Sequence, residues 1–227
     1  MAWFNNWYTK EPRRVITKDT PRPVGLALFF SVLWQQLSEL CKLNLLMILF
    51  SLPLVSIPTV LVATARVLTL MFMDQPLETF TEFFNTFKKE WKRATIAGLI
   101  YFPLLAISIF ALYFYSLVID NFLLYTVAML GCAVLIIIGF YLFPLLAMVD
   151  LKLQHCFKNA ALLTVLKAPK NILALVVMVG LTILIILFLP PSIVSVFLLY
   201  FALMSAISTF CAYGAICHLI IKEDKNE

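Results

Sequence analysis

Three ionisable side chains lie in a stretch otherwise suited to hydrocarbon: Glu39, Lys42 and Arg66 flank the apolar run Leu45 to Leu52 and the Pro53-Leu-Val-Ser-Ile-Pro58 turn. A charge near a bilayer centre costs about 2.5–3.5 kcal/mol on insertion scales, so such groups mark ion paths, proton relays or paired clamps. Lys42 is one helical turn from Glu39 on the same face. If the flanking segments form a transmembrane hairpin, Glu39 lies eleven residues before Phe50 and Arg66 eight after Pro58, at matching depths. That layout predicts a Glu39–Arg66 ion pair. A structural clamp, a docking surface and a substrate contact are the roles open to it.

Little other chemistry is on offer. His155 and His218 are far apart and sit in no H-E-x-x-H or other ligand spacing. There is no G-x-S-x-G, no Walker loop and no carboxylate pair within one apolar run. The five cysteines, Cys41, Cys132, Cys156, Cys211 and Cys217, form no C-x-x-C pair and read as small apolar residues. The expectation is a protein that is not an enzyme and holds neither metal nor cofactor. Coupled carriers usually show midplane acid or histidine chains. Here Glu39 is the one candidate acid.

The elements that position these residues follow from composition. With 63% hydrophobic and 13% charged residues in 227, and a mean hydropathy of +1.00, the chain is an integral membrane protein. Long apolar runs without period-2 alternation exclude a β-barrel and leave an all-α bundle. The net charge of +5 is distributed in clusters beside apolar runs, a pattern for lipid headgroups rather than nucleic acid. Residues 1–23 form a basic tail without a cleavable signal, 24–221 a single bundle, and 222–227 a charged tail.

Hydropathy predicts spans at 24–50, 58–73, 94–119, 122–149, 171–189 and 193–221, with Pro58 suited to a helix start. Of 17 Lys and Arg, five lie in the first tail, four in 74–93, four in 150–170 and two in the last tail. The connections at 51–57, 120–121 and 190–192 have none. The positive-inside rule then makes both termini cytoplasmic and arranges six spans as three hairpins. Four full spans plus a re-entrant hairpin at 43–73 satisfy the same tally. Either way, the expected location is the bacterial plasma membrane, in multi-pass form.

Two polar segments carry a helical pattern of their own. Phe80, Phe83, Phe84, Phe87 and Trp91 recur at i, i+3, i+4, i+7 and i+11, opposite Glu82, Asn85, Lys88, Lys89 and Lys92. This predicts a cytoplasmic amphipathic helix over about 79–92, opened by a Thr79/Glu82 capping box. The aromatic stripe either lies among headgroups or docks in a partner's groove. A second such helix is expected over 152–166, and Phe87-Lys88 with Phe157-Lys158 hints at internal duplication.

These residues carry a resemblance. Asn44-Leu45-Leu46, Ser51-Leu52-Pro53 and Pro58, then Phe83-Phe84 with Phe87-Lys88-Lys89, then Lys158-Asn159-Ala160, resemble the YesL-like family of small bacterial integral membrane proteins. The likeness covers roughly 24–220. It implies an accessory protein associated with a carbohydrate ABC importer, partnered by its permease subunits and aiding assembly or uptake of a sugar or polysaccharide. It transfers no catalytic residue, and Ile57 stands where the family usually has a small residue beside the turn proline. The alternative reading is a self-contained small-solute carrier or channel, and assembly into a homo-oligomer is open to either reading.

Overall fold

The computed structural model describes residues 25–75, 77–117, 121–188 and 192–219, leaving aside the side chains of 197 and 215–219. Both expected tails, Asp120 and the Pro190-Pro191 turn lie outside the described residues. All regular structure among the described residues is helical.

The proline-free segment expected as one helix over 24–50 is two: α1, Leu26–Gln35, and α2, Leu37–Phe50. The break falls at Gln36, beside Gln35, where the backbone leaves helical geometry (φ −113, ψ 24). After α2 the Pro53 turn tightens into a 3-10 turn, Leu54–Ser56, whose Ser56 hydroxyl donates to the carbonyls of Phe50 and Pro53. Helix α3, Ile57–Phe72, follows with proline in its first turn, where a missing N–H costs nothing.

Helix α4 runs without interruption from Thr79 to Leu117. The amphipathic segment and the span expected from 94 are therefore one rod of 39 residues, about 58 Å long at the standard rise. Arg93, Ala94 and Thr95 include no helix breaker, so polarity changes there while the backbone continues. The capping box does not form either: the Thr79 hydroxyl donates to Glu39 Oε2 at 2.8 Å. Helix α5, Phe122–Met148, is capped by the Asn121 side chain, which accepts from the N–H groups of Leu123 and Leu124. Helix α6 covers Leu153–Leu166, and α7, Ala168–Leu187, begins at a proline-marked corner.

The last apolar run starts as α8, Ile193–Ser195, passes through a π-helical turn, Val196–Tyr200, and continues as α9, Phe201–Leu219. The cause of the wide turn is visible. The buried Asn44 carboxamide donates to Val196 O at 3.1 Å and accepts from Ala202 N–H at 2.9 Å. A side chain inserted into the backbone ladder replaces regular i to i−4 bonds.

Among the described residues, four helical segments, Leu54–Phe72, α4, α5 and α7, are long and apolar enough to cross a membrane. They divide by burial. The Leu54–Phe72 window is 72% buried within the protein, against 17% for α4 and α5 and 11% for α7. Helix α3 is thus the central helix, and the other three leave most of their apolar surface exposed. Val60, Ala63, Val67 and Met71 of α3 meet Leu40 and Leu43 of α2 and Ala202 and Ala206 of α9 in one core cluster. A second joins α4, α5, α6 and α9 around Tyr101, Tyr141, Leu145 and Cys156. Two close approaches set its geometry: a Cβ on Gly98 would stand 2.1 Å from the Pro58 ring, and one on Gly139 would stand 2.4 Å from the Tyr101 hydroxyl.

Candidate functional site

Glu90 and Arg93 are one helical turn apart on α4, where the amphipathic half of the rod gives way to its apolar half. Arg93 Nη1 lies 3.4 Å from Glu90 and 3.7 Å from Asp150. Its Nη2 donates to the carbonyls of Val149 at 2.9 Å and Leu151 at 2.5 Å. These carbonyls follow the C-terminus of α5, where the aligned peptide dipoles favour a cation. Lys89 adds contacts of 3.7 Å to Glu90 and 3.9 Å to Asp150. One guanidinium fork therefore ties α4 to the α5–α6 connection, a geometry an ammonium could not reproduce.

Beside this clasp is a cavity of about 320 Å³ lined by Arg66, Glu82, Asn85, Thr86, Lys89, Glu90, Ala147, Met148 and Asp150. Arg66 enters it from the central helix, with the carboxylates of Glu82, Glu90 and Asp150 around it. None of them is within 4 Å of Arg66, which makes no salt bridge among the described residues.

The expected cluster is thereby divided. Glu39 is buried and lies 3.1 Å from Lys42, with Thr79 as its second partner. The predicted Glu39–Arg66 pair is not formed: Arg66 faces the cavity, on another side of the bundle. The reason is the antiparallel packing of α3 on the first half of α4, which seats Pro58 against Gly98 and brings Arg66 to the level of Thr86–Glu90. The turn between Pro53 and Pro58 exposes Leu52, Leu54 and Val55.

The aromatic stripe is divided too. Phe83 is fully buried, and Phe83, Phe84 and Phe87 surround the ring of Phe50 at centroid distances of 5.4–5.7 Å. These three complete the chain's own core. Phe80, at 62% exposure, and Trp91, at 39%, are what the stripe leaves on the surface.

A separate groove of about 260 Å³ opens between α2, α3, α4, α5, α7 and α9, lined mostly by Met, Phe and Leu with Ser205, Ser208 and Thr209. It shares no lining residue with the polar cavity. Among the described residues no group of three or more His, Cys, Asp or Glu is placed to hold a metal ion.

With this geometry in view, the family described as "Protein of unknown function, DUF624" matches residues 40–114. The chain is similar to DUF624 over that segment. It is about a third of the 227 residues and takes in most of α2, the turn, α3 and nearly all of α4. The DUF624 segment thus supplies Arg66, Glu82, Asn85, Lys89, Glu90 and Arg93, and the later helices supply Asp150. No curated protein and no solved structure matches the chain.

Sequence reasoning missed Glu90, Arg93 and Asp150; Arg93 entered it only in the tally of basic residues. One signal was present: Glu90 and Arg93 at i, i+3 precede an apolar run, and Asp150 is the first charge after another.

Proposed function

We propose that this chain is a non-catalytic accessory membrane protein that docks on a larger transporter through the inner end of α4. The observation that carries this reading is the length of the rod. Crossing a ~30 Å hydrocarbon core takes ~20 residues, so about half of a 39-residue helix projects on the basic side. That half is stiffened by Phe50 and the central helix, and offers Phe80, Trp91, Lys88 and Lys92 outward. Large aromatics are favoured at the cores of protein interfaces, with charged side chains such as Lys88 and Lys92 at a polar rim. The resemblance points to a carbohydrate ABC importer in the bacterial plasma membrane as the partner class.

The layout that fits this reading keeps the α2–α3 hairpin on the basic side, with its turn at the inner edge of the hydrocarbon core. Pro58 meets α4 at Gly98, nineteen residues before Leu117, which is about 28 Å of helix from the opposite end. A cysteine placed at Leu54 should then be unreactive toward an impermeant maleimide added outside intact cells. Outside labelling equal to that of a cysteine in the α4–α5 connection would restore three full hairpins.

Partner capture tests the function itself. Mild-detergent purification from the native host should recover permease or nucleotide-binding subunits, and Phe80→Ala with Trp91→Ala should reduce them about tenfold, as loss of interface anchors does. Recovery of the protein alone would sink the proposal. A second reading, a self-contained carrier, is favoured by the helix interruption at Val196–Tyr200, which Asn44 bonds, since discontinuous helices line transporter sites. Uptake by liposomes containing only this protein would establish it.

A further inference from the structure

The charges lining the polar cavity do not all serve the clasp. Glu90 and Asp150 are matched by Lys89 and Arg93, each carboxylate lying within 4 Å of both cations. Two lining charges are left over, Arg66 and Glu82, one of each sign. They face the same 320 Å³ space without forming a salt bridge to each other. Between them Asn85 and Thr86 supply hydrogen-bonding groups, and Ala147 and Met148 form an apolar side.

A simple anion bound at Arg66 would meet the carboxylate of Glu82, and a simple cation at Glu82 would meet the Arg66 guanidinium. A ligand carrying both signs a few ångströms apart satisfies both walls. We propose that this cavity binds a phosphate–ammonium zwitterion, the headgroup of phosphatidylethanolamine. The phosphate takes the Arg66 fork, for which guanidinium geometry is suited. The ammonium is received by Glu82 and by the free oxygen valences of Asp150.

Position favours a lipid as the source. The cavity lies at the end of α5, bounded by Ala147 and Met148, and beside Lys89 and Arg93 in the basic belt that marks a cytoplasmic headgroup layer. Its volume is at the low end for small-molecule sites, enough for a headgroup while the acyl chains remain in the bilayer.

The test is native mass spectrometry of the full chain in detergent, titrated with phosphatidylethanolamine and phosphatidylglycerol of identical acyl chains. The unaltered protein should retain the ethanolamine lipid about tenfold better, a difference of ~1.4 kcal/mol. Arg66→Gln should lose most retention of both lipids. Glu82→Gln should keep the anionic lipid and lose the preference. Soluble glycerophosphoethanolamine added in excess separates the sources. Displacement of the lipid shows that the headgroup alone is read and that a free zwitterion can occupy the site. Failure to displace it ties the site to the membrane lipid. Equal retention of the two lipids by the unaltered protein overturns the proposal, and that comparison needs no variant to fold. Variants that melt with the parent yet leave the preference unchanged overturn it as well.

Discussion

Asn44→Ala is the substitution with the most predictable cost. Asn44 is fully buried, and its carboxamide satisfies Val196 O and Ala202 N–H, which the π-helical turn has taken out of the regular ladder. Alanine removes both partners and keeps the helical propensity of α2. A buried unsatisfied donor or acceptor costs about 1–3 kcal/mol, so two of them bring the loss to about 2–4 kcal/mol after partial relaxation. An opposing effect is available. If Val196–Tyr200 relaxes to α-helical geometry, Ala202 N–H can return to Leu198 O, and only the shift of α9 against α2 remains to be offset. Membrane side-chain hydrogen bonds average about 0.6 kcal/mol in double-mutant cycles, which sets the floor for that case. Reversible unfolding in mixed micelles titrated with SDS, followed by far-UV circular dichroism, measures the difference. A loss for Asn44→Ala below about 0.5 kcal/mol, the range of neutral surface changes, refutes the account of the turn.

Three further substitutions probe separate contacts. Phe83→Ala removes a fully buried ring from the Phe50 cluster and should cost about 3–5 kcal/mol by SDS titration, whereas Phe80→Ala should stay within about 0.5 kcal/mol. Arg93→Lys keeps the charge but cannot reach Glu90, Val149 and Leu151 together, so it should destabilise by about 1–3 kcal/mol. It should also quicken hydrogen exchange in the first turn of α6. Gly98→Ala places a methyl against the rigid Pro58 ring. Overpacking of about 1–3 kcal/mol should outweigh the ~1 kcal/mol gain in helix propensity, so the melting temperature should fall, and a rise would mean that α3 is not seated there.

The class of the protein and several helix starts are written locally, in ways a single pass along the chain can read. Pro58 and Asn121 mark where α3 and α5 begin, and the polar run after Val149 marks α6. The continuity of α4 was hidden because polarity, not backbone propensity, changes at Arg93. The stripe from Phe80 to Trp91 was legible as a periodic face but not as to what covers it. Phe50, more than thirty residues earlier, covers three of its rings. Asn44 belonged to a recognisable motif, yet its partners Val196 and Ala202 are over 150 residues away, a pairing no spacing rule contains. For Arg66 the error was one of geometry: equal depths were inferred from a full hairpin. The packing of Pro58 on Gly98 instead turns α3 so that its arginine faces Glu82 and Glu90 rather than Glu39.

The burial of α3 has a consequence for how the protein is made. Helix α3 is wrapped mainly by α4, α5 and α9, all of them later in the chain, so when it leaves the ribosome only α1 and α2 are there to cover it. Its Thr59, Thr64 and Thr69, all with no exposed surface in the finished protein, and Arg66 must then be accommodated by water, lipid headgroups or the insertion machinery. That condition lasts until α9 arrives. Chain synthesis proceeds at about 5–20 residues per second, so about 7 to 27 seconds separate the emergence of Phe72 from that of Thr209. The last helix is thus the step that closes the bundle. A chain stopped before Phe201 would leave Leu40, Leu43 and Val67 without Ala202 and Ala206 to cover them, a form for quality-control proteases to find.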